Sequence, residues 1–348
     1  MFKKILVPLD GSALSNSVLP HVRALAACCG SEVVLLRIIP EIGMRVVTPA
    51  VIAQTVEQTV ASLPPVLPDD LSMYEASARG QLEAVVAELA AAGLRAKARL
   101  GSGPVVEGIL DATAEEAADL IAMSTHGRGG LNRFLLGSIA SQVVQHANVP
   151  VLLVRAKAEA KMADACAYRR ILVPLDGSDF SRAVLPYVKA LAACNHAEVL
   201  LLQAVPEPEI DPGEAYWTLT FGGAASLGEV PRWAPDAPSS ERQAWIESMR
   251  TELSRRMAEA KAAAQDQLSS VAEEFSAAGV GKCEVLVQFG APADVILETA
   301  QASQSDLIAM TTHGRSGLQR LLMGSIADKV IRHANVPVLL VRVRLGSR

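Results

Sequence analysis

No apolar run in this 348-residue chain approaches the roughly 20 residues needed to cross a bilayer, although half the residues are apolar. The chain is therefore expected to be soluble. Its start, MFKKILVPLD, has two lysines but no long apolar stretch and no cleavage pattern, so no signal peptide is expected and a cytoplasmic location is. Basic runs and basic residues interleaved with aromatics are missing too, and the formal net charge is −5, which argues against nucleic acid as the partner. Cysteine is scarce. Cys28, Cys29, Cys166, Cys194 and Cys283 form no CxxC and no metal-ligand spacing, and their odd number suits a reducing compartment. Cys28 and Cys194 stand at matching places in two ALAAC segments, where they are expected to be buried apolar fillers rather than redox groups. GxxxxGK[ST], GxSxG and HExxH are all absent, so the catalytic chemistries tied to them have no support. The glycines between Gly101 and Pro104 lack the third glycine of a dinucleotide fingerprint.

What is present occurs twice. Residues 3–41 align with 169–207 at an offset of 166, and 118–155 with 305–342 at 187, leaving 21 extra residues in the second half. A length of 348 residues suits two domains: 1–155, an Ala-rich linker over 156–167, and 168–344 with an insertion over about 206–240. In each half, short apolar runs read as buried strands: ILVPLD, then EVVLLRII or EVLLLQAV, and in the first half Arg95–Leu100, Ala118–Met123 and Val149–Val154. Helical patterns alternate with them, one over Ser72–Ala92 ending at Gly93, and another capped by Ser12 or Ser15 (Ser178 or Ser181) and ending near ALAAC. Five strands alternating with helices in each half predict two parallel α/β sheets. Trp217, Trp233 and Trp245 lie in or just beyond the insertion, which is read as a surface elaboration, the alternative being a lid or protein-partner surface built from exposed aromatics.

The chain is organised around HGRGGLNRFLLGS, His126 to Ser138, repeated as HGRSGLQRLLMGS from His313 to Ser325. Each copy follows an apolar strand and leads into a helix. Glycines let backbone N–H groups approach a ligand, and a helix start adds unpaired donors and the positive end of a dipole, so the segment reads as an anion cradle. Arg128, Arg133, Arg315 and Arg320 can add charge-assisted bonds to phosphate. Asp10 and Asp176 precede Gly-Ser in strand-to-helix turns, where either local bonding or a ligand role fits. His126 and His313 fit ligand-orienting roles better than acid-base catalysis, because no carboxylate or nucleophile adjoins them in sequence. His146 and His333 are placed to bond helix-end carbonyls, while His21 and His196 are expected at the surface.

VPLDGS after the first strand, with H-G, nine residues and G-S after the fourth, resembles the universal stress protein family, and the resemblance covers nearly the whole chain. It implies a tandem of two open five-stranded parallel sheets of order 3-2-1-4-5, of the adenine nucleotide alpha hydrolase-like kind, paired as a pseudo-dimer. It also implies ATP, with or without magnesium, at the ends of strands 1 and 4, where the strand order reverses. By that resemblance Pro8, Asp10 and Ile38 line the adenosine side. Met123, Ser124, His126 and Gly127 follow the ribose and phosphates, and Gly137, Ser138 and Ile139 hold the phosphates. The second set is Pro174, Asp176, Ala204, Met310, Thr311, His313, Gly314, Gly324, Ser325 and Ile326. The family's ATP pattern opens on a glycine where this chain has Ser124 and Thr311, so a β-carbon stands there. The expected function is a nucleotide-responsive regulatory protein in stress response. The alternatives are a slow ATPase or nucleotidyl-transfer enzyme, and a ligand-free interaction module. The last strands, VPVLLV, are too apolar for an exposed edge, so the two halves are expected to pair through them, the alternative being a homodimer.

Overall fold

The computed structural model describes residues 2–39, 68–125, 136–155, 168–207, 239–312 and 323–343. The first half runs β1 (Lys4–Pro8), α1 (Ala13–Asn16), α2 (Leu19–Cys29), β2 (Glu32–Ile39), α3 (Pro68–Ala91), β3 (Arg95–Ser102), α4 (Val105–Glu115), β4 (Leu120–Ser124), α5 (Ser138–His146) and β5 (Val151–Val154). The second runs β6 (Arg170–Pro174), α6 (Asp179–Arg182), α7 (Leu185–Asn195), β7 (Glu198–Val205), α8 (Ser239–Ala277), β8 (Cys283–Phe289), α9 (Pro292–Ala302), β9 (Leu307–Thr311), α10 (Ser325–His333) and β10 (Val338–Val341). The linker 156–167 and residues 208–238 of the insertion, with Trp217 and Trp233, lie outside the described residues, as does the side chain of Trp245.

Two boundaries differ from the sequence reading. Ser12 does cap a helix, its hydroxyl accepting from the Ser15 N–H at 3.1 Å, but that helix is the single turn α1. The segment ending at ALAAC is a separate helix that starts at Leu19 beside Pro20, a residue suited to a first turn because its missing N–H would be unpaired there anyway. The helix expected from Ser72 begins four residues earlier, at Pro68.

Strands β1, β2, β4 and β5 are apolar on both faces because helices cover both sides. Ile5, Val7, Val33, Leu35 and Leu152 share one core with α2, α3, α7 and α8. Leu6, Val34, Leu36 and Leu153 share the other with α4, α5, α9 and α10. Within each half the order is 3-2-1-4-5, and the halves join as a single ten-stranded sheet, β3-β2-β1-β4-β5-β10-β9-β6-β7-β8.

The join is antiparallel, with Leu152 opposite Leu339 and Val151 and Leu153 opposite Leu340 and Val338. Leu152 and Leu339 are equivalent residues of the two repeats, so the pseudo-twofold axis passes between them. All eight residues of VLLV in β5 and β10 are buried. The outer edge β3 is protected differently. Lys97 pairs with Glu116 at 2.6 Å and Arg99 with Glu116 at 3.0 Å, charges of the kind that discourage edge-to-edge pairing. Arg155 extends the join by donating to the carbonyls of Arg332 and Ala334, at 2.8 and 3.2 Å, at the C-terminal end of α10.

Equivalent aromatic residues also cross between the halves. Phe2 packs on Tyr187 of α7, with ring centroids 5.9 Å apart, and its counterpart Tyr168 packs on His21 of α2, at 6.1 Å. His21 is therefore not a surface residue. It is 1% exposed, its Nδ1 is 3.3 Å from the Tyr168 hydroxyl, and its Nε2 has no hydrogen-bond partner among the described residues. His196, by contrast, is exposed and ends α7 at φ 51°.

Two outcomes follow for the join. Leu152→Ala and Leu339→Ala should each destabilise the chain by about 2–5 kcal/mol, with a double-mutant coupling of at least about 0.5 kcal/mol in urea unfolding. Additive effects would mean that the two side chains do not meet. Burial pushes His21 down to about 4, so the folded state holds it neutral where the unfolded chain takes up a proton. Its contribution is whole above about pH 6.5 and falls away as pH drops, by at most about 3 kcal/mol once below about pH 4. His21→Phe should flatten this part of the stability profile, and an unchanged profile would contradict the assignment.

Candidate functional site

In each half the first strand lies between the second and the fourth, β1 between β2 and β4 and β6 between β7 and β9. The chain leaves these neighbours in opposite directions along the sheet, which opens a crevice beyond their C-terminal ends. Because β10 runs antiparallel to β5, the two crevices open at opposite ends of the sheet. They are separate sites.

The crevice of the first half gathers several of the expected residues. Pro8 ends β1 half-buried, followed by half-buried Asp10, and Ile38 lies half-buried on β2. Met123 is buried and Ser124 half-buried at the end of β4. Gly137 caps α5, with Ser138 and Ile139 exposed in its first turn. The Gly137 N–H donates to the Thr125 carbonyl at 2.9 Å, which closes the strand end onto the helix start. The second half repeats this with Pro174, Asp176, Ala204 and Gly324 half-buried, Met310 and Thr311 buried, and Ser325 and Ile326 exposed; the Gly324 N–H donates to the Thr312 carbonyl at 2.9 Å. His126, Gly127, His313, Gly314 and the four loop arginines lie outside the described residues.

Among the described residues no side chain caps either helix start. Gly137 (φ −57°, ψ 145°) and Gly324 (φ −61°, ψ 145°) are N-caps without a side-chain acceptor. Ile139 and Ile326 are each 39% exposed, two of the few large apolar side chains left open among the described residues, and they are equivalent in the two repeats. At the far helix ends, His146 Nδ1 meets the Gln142 carbonyl and His333 Nδ1 the Lys329 carbonyl, both at 2.8 Å, as expected.

The two aspartates organise the turns beneath the crevices. Asp10 Oδ1 accepts from the Ser12 N–H at 2.8 Å, and Asp176 Oδ1 from the Ser178 N–H at 2.9 Å and its hydroxyl at 2.6 Å. Between Asp10 and Ser12, Gly11 sits at φ +77°, and a β-carbon there would lie 2.4 Å from the Arg37 guanidinium. Arg37 is 5% exposed and donates to the Tyr74 hydroxyl at 3.1 Å. It alternates with Ile38 along β2 and so reaches the turn from the face of the sheet opposite Ile38.

The sequence reading missed how Ile38 is held. A β-carbon on Gly101 of β3 would lie 2.7 Å from Ile38 Cδ1, and one on Gly108 of α4 would lie 2.8 Å from it. The second half fills the same place another way. Ala204 pairs with Gln288 where Ile38 pairs with Gly101, and Val295 stands where the first half has Gly108. One large and two small residues are exchanged for one small and two larger. The signal lay in aligning the third strand and following helix of the two repeats, a stretch outside the two obvious blocks of similarity.

A tandem doubly wound α/β chain with a glycine-capped helix opposite each strand switch is the class of protein defined by this geometry. The model of the universal stress protein family matches residues 1–155, 167–221 and 230–342, and the chain belongs to that family. It is 24% identical over 345 residues to universal stress protein Rv2005c of Mycobacterium tuberculosis, covering 97% of this chain and 96% of that one. Universal stress protein MJ0577 of Methanocaldococcus jannaschii is 28% identical over 175 residues, which is 50% of this chain and 95% of its own length. The crystal structure of a universal stress protein from Archaeoglobus fulgidus superposes with a TM-score of 0.59 at 20% identity, over 97% of this chain and 96% of that one, and shows the same fold. Among the described residues no helix is long and apolar enough to cross a membrane.

The exchange around Ile38 is directly testable. Gly108→Val alone should cost about 1–3 kcal/mol by overpacking, and adding Ile38→Ala should recover most of the loss, since the pair then matches Ala204 and Val295. If Ile38→Ala instead adds its own cost on top, the volume exchange is wrong.

Proposed function

We propose that each half, over 1–155 and 168–344, binds an adenine nucleotide at its strand switch and that the bound nucleotide sets the state of a regulatory protein. The observation that carries this reading is the repeated helix start. In both halves a glycine cap with no side-chain acceptor faces the end of the fourth strand, with equivalent isoleucines left exposed beside it. A polyanion suits such a start, because unpaired N–H groups and the helix dipole both favour negative charge. On this reading the N–H groups of Ser138 and Ile139, and of Ser325 and Ile326, take the phosphates. Pro8, Ile38 and Met123 flank the base in one half, and Pro174, Ala204 and Met310 in the other. His126, Gly127, His313 and Gly314 complete the two cradles. Magnesium, where present, would accompany the phosphates rather than a preformed set of protein ligands, since among the described residues no group of three His, Cys, Asp or Glu converges at either crevice.

Binding rather than turnover is the proposed role. Asp10 and Asp176 each commit Oδ1 to their own turn, and among the described residues no group of three His, Cys, Asp or Glu gathers around either of them. Electrostatic holding that serves ground and transition states alike does not accelerate hydrolysis. A second reading, in which the first half alone binds nucleotide, has support in one difference between the halves. Thr311 is buried where Ser124 is half-buried, so the second crevice carries its extra β-carbon in a more closed setting.

Calorimetry with ATP should give about two sites per chain, one for each cradle. Gly137→Val with Gly324→Val should abolish binding and lower the thermal midpoint only modestly, the cost of replacing two glycine caps by a poor capping residue. Neither glycine adopts a positive φ, so the new side chains fill ligand space without straining the backbone. Wild-type binding by this double variant would overturn the site, and a single site removed by Gly137→Val alone would confine the function to the first half.

A further inference from the structure

A cluster of three thiols lies where the two halves meet, away from both crevices. Cys28 and Cys29 are the last residues of α2, and Cys194 is next to the last of α7. Their sulfurs all lie within 4.8 Å of one another, and Cys29 Sγ is 3.6 Å from Cys194 Sγ. This overturns the expectation of buried fillers: Cys28 and Cys29 are half-buried and Cys194 is exposed. The departure has a geometric cause. Cys28 and Cys194 are equivalent positions, so the pseudo-twofold axis that passes between Leu152 and Leu339 also brings these two together.

We propose that Cys28, Cys29 and Cys194 form a binding site for a thiophilic d10 cation of the zinc type, which staples α2 of the first half to α7 of the second. Among the described residues this is the one set of three ligating side chains that converges. Soft sulfur donors select such ions over magnesium or calcium. A zinc–sulfur distance of about 2.3 Å sets sulfurs about 3.8 Å apart in a tetrahedron, so the present spacing needs shifts of no more than about an ångström.

Two further observations favour a cation here over a reactive thiol. The cysteines stand at helix C-terminal ends, where the dipole attracts positive charge and disfavours a bare thiolate; reactive thiolates are favoured at N-terminal ends instead. Arg95 already donates to the Gly30 carbonyl at that end of α2, at 2.7 Å. Binding a divalent ion requires the three thiols to give up their protons, and the charge of the ion drives that release.

Asn195 is the repeat equivalent of Cys29, so the second half does not supply a fourth thiol. It is 7% exposed; its Nδ2 donates to the Leu191 carbonyl at 2.9 Å, while its Oδ1 has no hydrogen-bond partner among the described residues.

The test uses the reduced full-length chain. Cd(II) is titrated while thiolate-to-metal charge-transfer absorbance is followed, and Zn(II) is titrated against a chromogenic chelator. The proposal expects one ion per chain, a thermal midpoint raised by zinc, and affinity lowered at least about tenfold by Cys194→Ser and by Cys29→Ser. Cys194 is exposed, so its serine variant should fold, and Cys283→Ser on β8 should bind as wild type does. Absence of stoichiometric binding by the wild-type chain overturns the site. So does binding that survives both cluster variants.

Discussion

The backbone pairing of β5 with β10 is the constraint on which the rest of the molecule depends. An open sheet of order 3-2-1-4-5 has two edges, and here they are unlike. The β3 edge carries Arg95, Lys97 and Arg99 and is held by ion pairs to Glu115 and Glu116. The β5 edge is VLLV, with both faces buried and no charge to keep other strands away. Duplication supplies a second copy of that edge in the same chain. Antiparallel pairing then satisfies both rows of N–H and C=O groups at once and extends each apolar core across the axis.

The direction of that pairing has consequences for function. It turns the second half over, so the crevices face opposite ends of one sheet. The same rotation brings α2 against α7, carrying Phe2 onto Tyr187, Tyr168 onto His21, and Cys29 beside Cys194. The repeats differ where they need not match: Ile38, Gly101 and Gly108 correspond to Ala204, Gln288 and Val295, and Cys29 to Asn195. The cap glycines, the Asp-Gly-Ser turns and the VLLV strands are the same.

Much of this was legible in the sequence because it is local. Alternation of apolar runs with helical patterns, the Asp10 and Asp176 turns, the glycine caps and the exposed apolar edge are each written within a few adjacent residues. The strand order and the pairing of halves followed once the repeat and the family motif were seen. What was not legible depends on the pseudo-twofold axis. His21 reads as a polar residue on a helix, and nothing nearby in sequence says that Tyr168, 147 residues away, will cover it. Cys28 and Cys194 read as helix fillers because no CxxC marks them, yet the axis gathers them from two helices. The break after Asn16 hid as well, since Ser12 and Leu19 fit one continuous helical pattern.

Hydrogen exchange of the β5 and β10 backbone amides tests the central pairing most directly. If the two edges close on each other, the strand amides of Val151–Val154 and Val338–Val341 that face across the join should be among the most protected in the chain, opening only with global unfolding. Exchange there as rapid as at an exposed sheet edge, with the β1 and β6 amides still protected, would show the halves folded but unjoined and would contradict the account.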